Sequence, residues 1–164
     1  MFDIRAMTDH DEFLLLRAAA LDAIVAALRE QVGVDRCTLR LEVEGEYFPV
    51  VHEALSGGTG SLIGDRKVSL QGQPVVEAIL GGAEQVIQPD CASASDDPAF
   101  QAMLGHYGGL AAQIVTPVRK GTTLLGIISL HHLGSPREWS ERELALPRAG
   151  ADLVSRLITG GTTT

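Results

Sequence analysis

Aromatic residues are scarce in this sequence: Phe, Tyr and Trp make up 4% of 164 residues, and Trp139 is the single tryptophan. Cysteine is scarcer still. Cys37 and Cys91 are the only two, which excludes a disulfide-framed domain and reads them as free thiols in a reducing compartment. No apolar run reaches the roughly 20 residues of a membrane span. Residues 1–10 lack the basic, apolar and small-residue regions of a signal peptide, so a cytoplasmic location is expected, without membrane contact. No basic cluster exceeds Arg119-Lys120, against a net charge of −8. That balance argues against nucleic acid as a partner and favours solubility.

What is present suits one soluble domain: 45% hydrophobic and 21% charged residues, in a chain too short for two ordinary domains. Thr8 is placed to cap a helix whose first turn carries Asp9, Asp11 and Glu12, and the helical pattern runs to about residue 31. Leu14, Ala18, Leu21, Val25 and Leu28 form one apolar stripe. Phe13, Leu16, Ala20, Ile24 and Ala27 form a second beside it. One stripe covers a sheet, so the second reads either as deeper burial or as a homodimer interface.

Beyond Gly33, Cys37, Leu39, Leu41 and Val43 alternate with Thr38, Arg40 and Glu42, the pattern of a half-buried strand. Residues 47–55 return as its hairpin partner around Glu44-Gly45-Glu46. A loop with four glycines in nine residues follows at 56–64. A short edge strand is expected at 67–70, a helix at 73–80, a strand at 84–88, a loop at 89–98, a second short helix at 99–107 and a strand at 110–118. The stretch from Thr122 is an aliphatic strand interrupted by Gly126, where another group is expected to approach closely. It passes His131 and His132 and stops at Gly134-Ser135-Pro136. Ser140 and Glu143 then form the signature of a capped helix over residues 141–158, with a kink or break expected at Pro147. Trp139 is placed for the apolar staple before that cap, and Arg137 for an acidic partner nearby. Residues 1–8 read as an N-terminal extension, 9–158 as one domain and 159–164 as a disordered tail.

Hairpins at both ends flanked by long helices imply an α+β domain: an antiparallel sheet with the terminal helices on one face. The simplest place for the two short helices and the glycine-rich loops is the other face, where they enclose a cavity.

Three segments add a family resemblance. Ala111-Ala112-Gln113-Ile114-Val115-Thr116-Pro117-Val118, then Leu125-Gly126-Ile127-Ile128-Ser129-Leu130-His131, then Pro136-Arg137-Glu138-Trp139-Ser140-Glu141-Arg142-Glu143 resemble, in order and spacing, the last strands and final helix entry of GAF domains. The resemblance covers residues 13–158. It implies a sheet of about six antiparallel strands, a roofed cavity, sensing of a small organic ligand and dimerisation through the terminal helices. Members of the family include bilin, haem and cyclic-nucleotide sensors and a sulfoxide reductase, so the fold does not name the ligand.

The residues disfavour each of those cofactors. Phe100 stands near the histidine that bilin-binding relatives carry on the helix before the penultimate strand. The cyclic-nucleotide marker is missing from residues 131–143. Adjacent strand residues point to opposite faces, so His131 and His132 cannot chelate one metal or haem iron. No nucleophile sits in an activating context, and an enzyme is not expected. The expected ligand contacts are Asp90, Cys91, Phe100, Met103, His106 and Tyr107 from the roof and Gln113, Ser129 and His131 from the sheet. Output is expected to pass to a signalling partner, or to the rest of a larger protein. Two other readings stay open: an interaction and dimerisation domain with a filled, vestigial pocket, and a thiol redox enzyme using Cys91.

Overall fold

The computed structural model describes residues 8–160. Most of the expected N-terminal extension (residues 1–7) and the end of the expected tail (161–164) lie outside the described residues. The first helix, α1, spans Asp9–Val32. The Thr8 hydroxyl accepts from the Asp11 N–H and the Asp11 carboxylate from the Thr8 N–H, a reciprocal cap at the helix start. Gly33, at φ 74°, closes the other end in the left-handed conformation glycine adopts cheaply. Only the first apolar stripe reaches full burial, at Leu21, Val25 and Leu28 with Val32 beyond it, while Leu14 and Ala18 are half-buried.

Five strands form one antiparallel sheet in the order β2-β1-β5-β4-β3. They are β1 (Arg36–Leu41), β2 (Val50–Leu55), β3 (Val86–Gln88), β4 (Leu110–Lys120) and β5 (Thr123–Leu133). The sheet is one strand short of the expected six, because residues 67–70 pair with no strand among the described residues. Val68 and Leu70 instead turn their side chains into the cavity. Strand β2 also starts three residues later than expected. Pro49 has no N–H for a ladder, and Phe48 sits at φ 47°, off the strand conformation.

Helices α2 (Pro74–Leu80) and α3 (Pro98–His106) and a 3₁₀ turn at Cys91–Ser93 cover one face of the sheet. Helix α1 and the last helix, α4 (Glu141–Gly160), cover the other. Ser140 and Glu143 cap α4 reciprocally, at 2.9 and 3.2 Å. The expected break is not seen: α4 runs through Pro147, whose ring is buried, and continues into residues 159 and 160 of the expected tail.

Two sequence features have plain roles. A Cβ on Gly126 would lie 2.4 Å from the backbone oxygen of Arg40, so β5 approaches β1 closer than any side chain allows. Arg137 donates to the carbonyls of Val32 and Gly33 at the end of α1, pairs with Glu143, and lies 4.6 Å over the Trp139 ring. Trp139 and Leu144 pack together against the helix-side core, as a staple does. The junction after β5 therefore ties both terminal helices to the sheet.

Candidate ligand-binding site

Directly opposed residues in a sheet share a face, so the register defines the cavity floor. Arg36, His131 and Gln113 form one row across β1, β5 and β4, and Thr38, Ser129 and Val115 form the next. Arg40 and Ile127 face each other a further step along. Over these rows lie Val75, Val76 and Ile79 of α2, Met103 of α3, Tyr107 after it, and Val68, Leu70 and Gln73 from the preceding loop. The enclosed space offers water centres about 50 Å³. A single water needs roughly 10–15 Å³ on that measure, so there is room for a few waters or a small molecule.

One end of this floor is positively charged. Arg36 is 2% exposed. It donates to the carbonyls of Gly60 and Tyr107 (3.0–3.1 Å) and, through Nη1, to His131 Nδ1 at 3.0 Å. A guanidinium only donates, so Nδ1 accepts and the neutral ring carries its proton on Nε2. Burial, then Arg36 and Arg40, hold the His131 pKa well below 6.5. Tyr107 stacks on His131 with ring centroids 5.8 Å apart. Arg40 is clamped by the Phe48 carbonyl at 3.0 Å and the Tyr107 hydroxyl at 3.1 Å. The unusual φ of Phe48 thus sits where its carbonyl meets Arg40.

Five of the nine expected contacts come together here: Met103, Tyr107, Gln113, Ser129 and His131. His106 faces an outer groove beside Met103 and bonds Asp65 at 2.6 Å. The other three lie away from the cavity lining. Asp90 accepts from Ser93 at 3.0 Å. Cys91 and Phe100 are 0% exposed and packed in the apolar cluster between roof and sheet. Burial, reinforced by Asp90, pushes the Cys91 thiol up to about 12, which leaves almost no thiolate at neutral pH for redox chemistry. His131 and His132 do point apart: His132 Nδ1 lies 3.9 Å from Asp35, away from the cavity. Among the described residues no three His, Cys, Asp or Glu side chains converge on a metal position.

Arg36, which holds His131, and the cavity-lining Thr38, Arg40 and Gln73 were not among the expected contacts. The signal for the middle two was present in β1, where Thr38 and Arg40 alternate with Cys37 and Leu39. Once helices are assigned to the Cys37 and Leu39 face, the other residues must face the cavity.

The GAF domain family model matches residues 17–158. The chain belongs to the GAF domain family. Its fold is similar to that of the cyanobacteriochrome TePixJ GAF domain, at 22% identity over 96% of each chain with a TM-score of 0.74. The photoproduct state of GAF3 from Slr1393 of Synechocystis sp. PCC6803 is similar at 19% identity over 88% of this chain and 94% of that one, TM-score 0.74. So is a phycoerythrobilin-bound GAF domain from a cyanobacterial phytochrome, at 18% identity over 93% and 96%, TM-score 0.70. At these identities the likeness is one of fold. No curated protein matches the chain. No helix among the described residues is long and apolar enough to cross a membrane.

Proposed function

We propose that this GAF domain is a sensory module that takes a small organic molecule into the cavity between the sheet and α2/α3. The observation that supports this is a wall buried as deeply as a core yet furnished with polar groups the fold does not use. The Thr38 and Ser129 hydroxyls make no hydrogen bond among the described residues. The buried Gln73 Oε1 has no partner either. An unpaired buried oxygen like that of Gln73 costs stability unless something meets it.

Occupancy would be felt first by β1 and β5. Strand β5 leads within six residues to Arg137 and Trp139, where α1, α4 and β3 are tied together. The exposed second stripe of α1, with Phe13 at 37% and Leu16 at 70% exposure, offers the surface for a homodimer that carries the signal to a partner protein or to further domains.

A bilin, as borne by the phytochrome relative, does not fit these residues. Neither cysteine reaches the cavity: Cys37 lies on the helix side and Cys91 in the apolar cluster between roof and sheet. The room is small beside the 300–1,000 Å³ typical of pockets for drug-sized ligands. The same tightness favours a second reading, an interaction domain whose pocket is filled by its own side chains.

Native mass spectrometry of freshly purified protein, with a small-molecule thermal-shift screen, separates the two readings. A retained mass or a stabilising compound is expected, since a ligand that binds only the folded state raises Tm. Neither appearing would overturn the sensory reading in favour of the filled pocket. Sedimentation of Leu16→Glu checks the dimer. A wild-type dimer that the charge converts to monomer is expected, and a monomeric wild type would discard it.

A further inference from the structure

We infer that the ligand is a small organic anion: a carboxylate held by Arg40, the His131 Nε2–H and the Thr38 and Ser129 hydroxyls, on an apolar body no larger than one ring or a short chain. This rests on the sensory reading above and names its ligand class.

The first support is positive charge that has no direct ion pair. Among the described residues neither Arg36 nor Arg40 has a carboxylate within 4.0 Å. Glu53 and Asp35 offset the Arg36 charge, and Asp65 the Arg40 charge, only from further off. Glu53 accepts from Ser61 and the Leu62 N–H, Asp35 from the Leu133 N–H, and Asp65 from His106 and the Lys67 N–H. Burying a cation without a directly paired counter-charge is costly, and guanidinium does not shed its proton to escape the cost. An anion entering the cavity would relieve it.

The second support is donor arithmetic. A guanidinium has five N–H groups. Arg36 spends four hydrogen bonds holding the Gly60 loop, the end of α3 and His131. Arg40 spends two, on Phe48 and Tyr107, and those two fix its plane. Three donors remain on a group already oriented, and Arg40 spans the wall between the cavity and an outer groove. His131 adds a donor whose tautomer is set by Arg36, and Thr38 and Ser129 add hydroxyls in the adjacent register row. The floor therefore presents an excess of donors without one acidic side chain, and charge-assisted bonds of this kind are the stronger class.

The third support is shape. Val76, Val115 and Ile127 supply an apolar surround, and the space limits the body that fits. In the roof, the unpartnered Gln73 Oε1 calls for a hydroxyl or N–H on the ligand. A hydroxylated acid would satisfy both the floor and the roof.

The test is isothermal titration and thermal shift on the whole chain with matched pairs: butyrate and butyramide, benzoate and benzamide, 4-hydroxybenzoate and 4-hydroxybenzamide. At least one carboxylate is expected to bind about tenfold or more tightly than its amide, more weakly as salt rises. Arg40→Met should abolish that preference and Arg40→Lys restore part of it. Because loss of Arg40 also frees the Phe48 carbonyl, the Thr38→Val/Ser129→Ala double variant, folded by its Tm, is the second check, with an expected loss of about fivefold or more. Equal binding of acid and amide overturns the anion inference while the sensory reading stands. No binding by any of the three acids overturns the inference too. Failure of the wider thermal-shift screen as well brings down both readings.

Discussion

The two faces of the central strands are equally buried and opposite in chemistry. Toward α1 and α4 stand Cys37, Leu39, Ile114, Ile128 and Leu130, all 0% exposed and all apolar. Toward the cavity the residues next to them in sequence are Arg36, Thr38, Gln113, Ser129 and His131, at 1–7% exposure. A β-strand alternates its side chains, so one short sequence writes both faces. Hydrophobic burial on the helix side supplies stability that a polar floor does not. The cavity face keeps groups that cost free energy to bury, and violations of this kind collect at functional sites.

The largest expected difference between the faces lies between neighbours. Ile128→Ala should cost about 2–5 kcal/mol, the transfer and cavity cost of truncating a fully enclosed side chain. Ser129→Ala, one residue on, should cost less than about 1 kcal/mol, since its hydroxyl has no partner among the described residues to orphan. Urea denaturation of both variants measures this, and similar losses would mean that the two faces do not divide the work. Gly126→Ala comes next at about 1–3 kcal/mol. The clash is with the Arg40 backbone oxygen, which cannot rotate aside. A neutral Gly126→Ala would show that β1 and β5 can separate freely at that point.

The helix face was the easier one to read from sequence. Its periodicity is uninterrupted in Leu21, Val25 and Leu28 and in the alternation of β1, and the caps at Thr8 and Ser140 are local signals that need no tertiary information. The closing strand and its junction were legible because Gly126, Arg137 and Trp139 each answer to a local constraint. The cavity was legible only in part. Gln113, Ser129 and His131 follow from strand alternation. Gln73, Val68 and Leu70 depend on where a glycine-rich loop settles. Cys91 and Phe100 looked chemically apt in the roof, but they pack into the apolar cluster beside the cavity rather than line it, and a helix of nine residues does not show from sequence which side it turns down. Arg36 was hidden for another reason. It stands at the first position of its strand, where a cation ordinarily marks solvent, and here it is held inside by four hydrogen bonds.

The pH dependence of stability sharpens the comparison further, because the cavity face holds a buried histidine. Unfolded, His131 titrates near 6.5; folded, it titrates well below that. Above 6.5 both states are neutral and this residue adds no slope. As pH falls below 6.5 the unfolded chain takes up a proton that the folded chain refuses. Stability then declines by up to about 1.4 kcal/mol per pH unit until the folded pKa is reached. His131→Asn keeps an acceptor for Arg36 and cannot titrate, so its stability should fall less steeply between pH 6.5 and about 5. Equal slopes in the two proteins would mean that burial and the two arginines do not hold His131 neutral in the fold.

The smallest expected effect discriminates best. Thr38 is 1% exposed, and its hydroxyl finds no partner among the described residues, so the fold draws no protein hydrogen bond from it. Valine has nearly the same shape and gives up nothing the fold uses. At an ordinary core position a polar-to-apolar swap that breaks a hydrogen bond destabilises. Here Thr38→Val should leave stability unchanged or raise it by up to about 1 kcal/mol, while weakening whatever the cavity binds. A stabilising substitution that damages binding is the trade expected where a residue is kept for its ligand rather than for the fold. Urea denaturation together with titration of the best-binding carboxylate reads both halves. If Thr38→Val is instead clearly destabilising, the hydroxyl has a structural partner, and this polar face is part of the scaffold rather than the wall of a site.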